Sequence, residues 1–158
     1  MSQETKKPDK KAVSDNTIGE HEAIAAAEQR LEAALVRPAS GVEREWASRV
    51  VAEIKPLQDL LRSHCETSEG PDGLLLEIED TTLIMNERLV DVKRHHKVLL
   101  DQCAGLLAEA KRCAAGEPVQ PRDVRRRAAS LMSEILHHHG IEADMMFEAF
   151  MSDFGGVD

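Results

Sequence analysis

The chain has no tyrosine, one tryptophan and three phenylalanines. Sheets are built on aromatic and β-branched side chains, so this scarcity argues against a β-rich fold. Its three cysteines, Cys65, Cys103 and Cys113, form an odd set with neither a CxxC nor a CxxCH. Covalent haem attachment and the usual zinc-finger spacings are therefore unsupported. No run of about eighteen apolar residues occurs, and Met1 is not followed by a charged-then-apolar leader. The expected setting is a soluble reducing compartment, most simply the cytoplasm, with no membrane as partner. Positive charge is also in short supply. A net charge of −9 argues against nucleic acid as the main partner, because the phosphate backbone attracts cations. Neither a Gly-rich phosphate loop nor a serine elbow is present.

What is present is the vocabulary of amphipathic helices: alanine, glutamate, leucine and arginine in 158 residues, enough to bury a core without disulfides. Residues 1–17 are polar, lysine-rich and aperiodic, and read as a disordered tail. Residues 18–154 read as one domain. Its first helix spans about Ile18 to Val36, with Ile18, His21, Ile24, Leu31 and Leu35 at steps of three and four, Glu28 filling the remaining slot, and Pro38 and Gly41 ending it. The second spans about Val42 to Glu69 on Trp46, Val50, Ile54, Leu57, Leu61 and His64, and Pro56 is expected to kink or split it near Lys55. Asp72 is placed to cap a short apolar turn, residues 73–80. The third helix carries Met85, Leu89, Val92, His96, Leu99, Cys103, Leu106, Ala110 and Cys113. The fourth carries Val124, Ala128, Leu131, Ile135, His138, Glu142, Met145 and Ala149, interrupted by Gly140 and ended at Gly155-Gly156. Four such helices with mostly short connections predict an all-α, up-down-up-down antiparallel four-helix bundle.

Each helix places one histidine where its core face should be: His21, His64, His96 and His138. An imidazole on an apolar stripe must be satisfied by hydrogen bonds or by a metal, and neutral imidazole is a common ligand of iron and zinc. A lone core histidine is more often hydrogen-bonded than ligating, but four helices each supplying one point to a metal site inside the bundle. At roughly 100° per residue, His138 and Glu142 point within about 40° of each other, so one metal could take both. His95 falls with Arg88, Asp91 and Gln102 on a polar flank, and His137 with Ser130 and Glu134 on a wet face. His139 lies one step round from His138, and Asp144 joins it only if the helix distorts at Gly140.

Other chemistry is thinner. Glu134-Ile135-Leu136-His137 is a single ExxH, where a ferritin-type site needs two. Cys65 and His64 diverge by roughly 100° as helix neighbours and do not form a nucleophile–base pair. Cys103 and Cys113 read as small core residues. Arg122, Arg125, Arg126 and Arg127 read as a solvated face at the start of the fourth helix.

From Ile18 to Asp153 the pattern resembles the hemerythrin-like, or HHE cation-binding, family. The stretches that carry the resemblance are Leu60-Leu61-Arg62-Ser63-His64 running on through Glu66 and Glu69, then Lys93-Arg94-His95-His96 with Leu99-Leu100, and residues 136–150 (LHHHGIEADMMFEAF). The resemblance implies a non-haem di-iron centre that binds or senses O2 or a related small diatomic ligand, and the departures named below leave a mononuclear site or a different metal open. It implies His21, His64, His96 and His138 with Glu142 as metal ligands, or His139 with Asp144 on the last helix, and Glu69 as a bridging carboxylate. No catalytic role is implied. The chain departs from the family in two places: Val92 and Leu100 stand where a second third-helix histidine is usual, and Ser68 stands four residues after His64 where a glutamate is usual. Three hypotheses follow: an iron protein of this type, a metal-free helical interaction module that has lost the site, and a di-metal oxidase or peroxidase. If the first helix folds back the chain can be a monomer; if it swings away, the other three need a partner copy, as in a homodimer.

Overall fold

The computed structural model describes residues 10–71, 73–78 and 83–151. Five helices follow in order: α1 Lys10–Leu35, α2 Glu43–Glu69, the short α3 Leu74–Ile78, α4 Leu83–Ala114 and α5 Pro121–Met151. The four long helices form an antiparallel bundle in which α1 packs on α2, α2 on α4, α4 on α5, and α5 closes back on α1. The first helix therefore folds back onto its own chain. No helix among the described residues is long and apolar enough to cross a membrane.

The stripes read from the sequence are the core. On α2, α4 and α5 every residue of the expected stripe is buried. On α1 the helix begins at Lys10, so residues 10–17, expected as tail, are helical; residues 1–9 lie outside the described residues. The cause is tertiary. Val13 is 3 % exposed among apolar residues of α3, α4 and α5, and Thr17 stays satisfied by donating from Oγ1 to the Val13 carbonyl at 3.0 Å. Burial there outweighs the polar local composition. Ile18, expected inside, is exposed, and Ala27 and Ala34 complete the face instead.

Helix α2 runs unbroken through Pro56. Pro56 is exposed, so the carbonyl it leaves without a helical donor lies on the solvent side, where the loss costs least. Helix α4 ends in a Schellman turn: Gly116, at φ +82°, donates to the Cys113 carbonyl at 3.0 Å and Glu117 to the Arg112 carbonyl at 3.1 Å. Pro121 then opens α5 at the position where its missing N–H costs nothing. The basic run is put to use here. Arg125 donates to the carbonyls of Leu35 and Arg37 at 2.8 and 2.9 Å, closing the end of α1, and covers the Trp46 ring. Arg127 pairs with Glu109, and Arg126 with Asp123 at 3.8 Å. The start of α5 is thus tied to its neighbours as well as solvated.

The apolar core comes in two parts. A larger one, from Ile24, Leu61, Leu99 and Ile135 to Trp46 and Val124, fills the end with the short loops. A smaller one holds Val13, Leu89, Val92 and Met145. It is plugged by α3, whose Leu74, Leu75 and Ile78 are buried. A Cβ at Gly73 would run into the Thr67 and Ser68 backbone, and its absence lets the chain turn back tightly into α3. The expected end of the last helix at Gly155-Gly156 and the cap at Asp72 lie outside the described residues. Between the two apolar parts, every long helix contributes polar side chains at the same level.

Candidate metal centre

That level is set by helix period. On α2, His64 follows Leu61 by three; on α4, His96 stands four after Val92 and three before Leu99; on α5, His138 and Glu142 stand between Ile135 and Met145. The burial that holds those leucines and isoleucines inside carries the polar groups in with them. His64 and His96 are 2 % exposed and His138 and Glu142 fully buried. One ligand atom from each of the four lies within 4.8 Å of all the others.

All three imidazoles present Nε2 inward, around the Glu142 carboxylate. Oε1 of Glu142 is 2.7 Å from His64 Nε2 and 3.4 Å from His96 Nε2, and also meets His138 Nε2. The Nε2 atoms of His96 and His138 are 3.0 Å apart. The other oxygen, Oε2, is 3.2 Å from His21 Nε2 on α1. The Nδ1 atoms face outward. His64 Nδ1 donates to Glu20 Oε2 at 2.5 Å, and His138 Nδ1 is 3.2 Å from His95 Nδ1, whose Nε2 donates to Glu134 Oε2 at 2.8 Å. His96 Nδ1 has no hydrogen-bond partner; Glu69 Oε1 is 3.6 Å away. His139 stacks on His21.

The electrostatics follow from this crowding. Burial would raise the Glu142 carboxyl, but its contacts with His138, His21, His64 and His96 outweigh it and hold the group ionised, well below the usual carboxylate range. Burial opposes charge on His64, yet its bonds to Glu142 and Glu20 win and lift it to about 9. At neutral pH His64 is thus an imidazolium donating from both nitrogens. Burial lowers His138 and, with the neighbouring His21, drives His139 down to about 3. Burial also pushes the Cys65 and Cys103 thiols up, to about 12 and 11, so in the metal-free protein both stay protonated at neutral pH.

The donor set suits a metal. Three imidazole nitrogens and one carboxylate oxygen match borderline divalent transition metals such as iron and zinc rather than calcium or magnesium, which prefer oxygen alone. Nitrogen and oxygen donors sit about 2.0–2.2 Å from such an ion, which places neighbouring donors roughly 3 Å apart. Three of the spacings among the inward atoms, 2.7, 3.0 and 3.4 Å, are of that size. A buried His/Glu cluster able to hold a metal ion therefore lies in the middle of a helical bundle.

Of the residues singled out from the sequence, His64, His96, His138 and Glu142 meet at one point, and His21 stands at the far oxygen of Glu142. Glu69 stands outside, 38 % exposed by its side chain and facing the outward nitrogen of His96. Asp144 is exposed, and α5 is continuous through Gly140, so the His139–Asp144 pairing is not assembled. Three participants escaped the sequence reading: Glu20, His95 and Glu134. His95 was placed on a polar flank, which is where a second layer of partners must sit. Glu134 could have been found, because Glu134, His138 and Glu142 form a ladder at four-residue steps on one face of α5. No family model matches the chain, nor does any curated protein or solved structure.

Proposed function

We propose that this bundle is a non-haem iron protein of hemerythrin type, which binds or senses O2 or a related small diatomic ligand. The observation that carries the reading is the convergence of three Nε2 atoms and one carboxylate oxygen, all buried, between two apolar parts of the core. His64, His96, His138 and Glu142 would hold the metal. His21, at the second oxygen of Glu142, would offer one further nitrogen to a second iron. Iron held by these residues would supply a binding position for a diatomic molecule. The chain itself does the rest. Leu61, Val92, Leu99, Ile135 and Met145, one turn above and below the histidines, exclude bulk water, and the closed surroundings admit only a small ligand. A cavity of about 320 Å³ between α4 and α5 reaches His95 and His138 from outside and gives such a ligand an approach.

The test is metal analysis of untagged protein, then anaerobic Fe(II) loading and an absorption spectrum before and after admission of air. Retained iron, and a spectral change on admitting air that His96→Ala and His138→Ala abolish, supports the reading. Iron content indifferent to both substitutions refutes it. A second reading, a metal-free interaction module, is favoured by one observation: with a proton on His64 the Glu142 network is hydrogen-bonded without any metal. Failure to retain any transition metal would select it.

A further inference from the structure

We infer that Glu20 on α1 and the His95–Glu134 pair joining α4 to α5 are positioning residues, which hold the N–H of His64 and of His138 at Nδ1, so that a metal displacing the one proton on His64 Nε2 meets an Nε2 lone pair from both rings beside Glu142. The inference rests on the metal-binding reading above and deepens it, by naming what makes the centre electron-rich.

A carboxylate only accepts hydrogen bonds. Glu20 Oε2 lies 2.5 Å from His64 Nδ1, so Nδ1 is the protonated nitrogen of that ring. In the metal-free protein His64 carries a second proton on Nε2, 2.7 Å from Glu142 Oε1; when a metal displaces it, the ring keeps its one N–H at Nδ1 and turns Nε2 inward as a lone pair. On the other side, Glu134 Oε2 lies 2.8 Å from His95 Nε2, so His95 carries its hydrogen there and offers Nδ1 as an acceptor. That acceptor is 3.2 Å from His138 Nδ1, which must donate to it, and His138 Nε2 is in turn left bare against the same Glu142 oxygen. Two lone pairs and a carboxylate oxygen pointed at one another repel unless a cation lies among them, the His64 proton in the metal-free chain or a metal ion in its place. The outer acceptors thus let a metal replace that proton without either ring changing its tautomer. Partners of this kind behind a ligand histidine fix its ring and raise its basicity. His96 differs: Glu69 approaches its Nδ1 only to 3.6 Å, too far for a hydrogen bond, so its tautomer is not dictated in the same way.

Two measurements on the full chain test this. The first is the affinity for Co(II) alone, read by its visible spectrum in competition with a chelator. Glu20→Ala and His95→Ala should each weaken it about 10- to 100-fold, and Glu20→Gln, which keeps an acceptor oxygen, should restore most of the loss. An unchanged affinity in both alanine variants, or a glutamine variant no better than Glu20→Ala, overturns the inference. The second is long-range proton–nitrogen NMR of the imidazoles in metal-free, nitrogen-15-labelled protein. His138 should be the Nδ1–H tautomer, shifting toward Nε2–H in His95→Ala. If His138 is Nε2–H in the parent chain, the inference is wrong whether or not metal binds. If the parent takes up no Co(II), the iron reading fails, and the NMR result decides the tautomers by itself.

Discussion

His139 lies flat against His21, ring centroids 3.8 Å apart and planes 16° from parallel, directly behind the Glu142 carboxylate. Burial, and then the neighbouring His21, keep the His139 ring neutral, its value falling to about 3. Its contribution to stability is complete above the ordinary histidine value, about 6.5, and is lost as pH falls from there toward 3. His64 works in the opposite sense. Raised to about 9, it contributes fully below about 6.5 and loses that contribution as pH rises toward 9. Glu142, lowered, adds a further loss at pH below the ordinary carboxylate range. The metal-free protein should therefore be most stable near pH 6.5 and weaken on both sides. Urea midpoints taken across pH check this, with His139→Leu expected to flatten the acid limb and leave the alkaline limb intact. A profile that rises steadily to pH 9 contradicts the assignment to His64.

A second prediction concerns the His64–Glu142 pair. Removing Glu142 alone leaves a buried charge on His64 with only Glu20 to answer it, and breaking a buried pair from one side costs about 3–5 kcal/mol. Glu142→Leu should destabilise the metal-free protein by about that much. Replacing both residues by leucine should recover a large part, because an apolar pair of similar volume needs no desolvation repaid. A double-mutant cycle on unfolding free energies is the measurement. Additive effects would mean that the two groups do not share a proton in the folded chain.

Why some of this was legible in the sequence and some not has a physical explanation. On α2, α4 and α5 the apolar residues recur at steps of three and four with few interruptions, so the face and the histidine on it could be read together. His64, His96, His138 and Glu142 are core positions by that arithmetic. Helix α1 was harder. Its stripe is made of alanines, Val13 and Thr17, small or half-polar residues whose burial depends on what α3 and α5 bring against them. Its beginning at Lys10 is decided by that packing rather than by local composition. The partners of the outward nitrogens were harder still. Glu20, His95 and Glu134 sit on the flanks, where periodicity treats every charged residue as solvated. Only the meeting of different helices tells a solvated glutamate from one that receives a histidine's hydrogen.

Glu28 supplies a third prediction, on the same α1 face but away from the metal level. It fills a slot of the stripe that the sequence otherwise gives to apolar residues. Burial and then the charge of Glu32 push it up to about 7. A carboxyl raised in the folded state binds protons more tightly there than in the unfolded chain, so its contribution is present at low pH and is lost as pH rises from about 4.5 to about 7. Glu28→Gln should therefore raise the melting temperature at pH 8, and the gain should shrink toward zero near pH 4.5. A gain of equal size at both values would locate the effect elsewhere, for example in helix propensity.

Gly140 gives the last prediction, and it reaches back to the site. A glycine inside a helix costs roughly 1 kcal/mol against alanine, and a Cβ at this position would meet nothing within 4 Å. On stability alone, Gly140→Ala should be a gain of about 1 kcal/mol, or roughly 2–4 °C in melting temperature for a chain of this size. The residue sits between His138 and Glu142, and the value of that pairing depends on an undistorted turn between them. Alanine stiffens that turn, so the variant should bind Co(II) at least as tightly as the parent. The opposite result would carry its own meaning. A variant that is more stable yet binds the metal more weakly would show that α5 opens at Gly140 on loading, which would bring Asp144 toward His139 and change the ligand set on that helix.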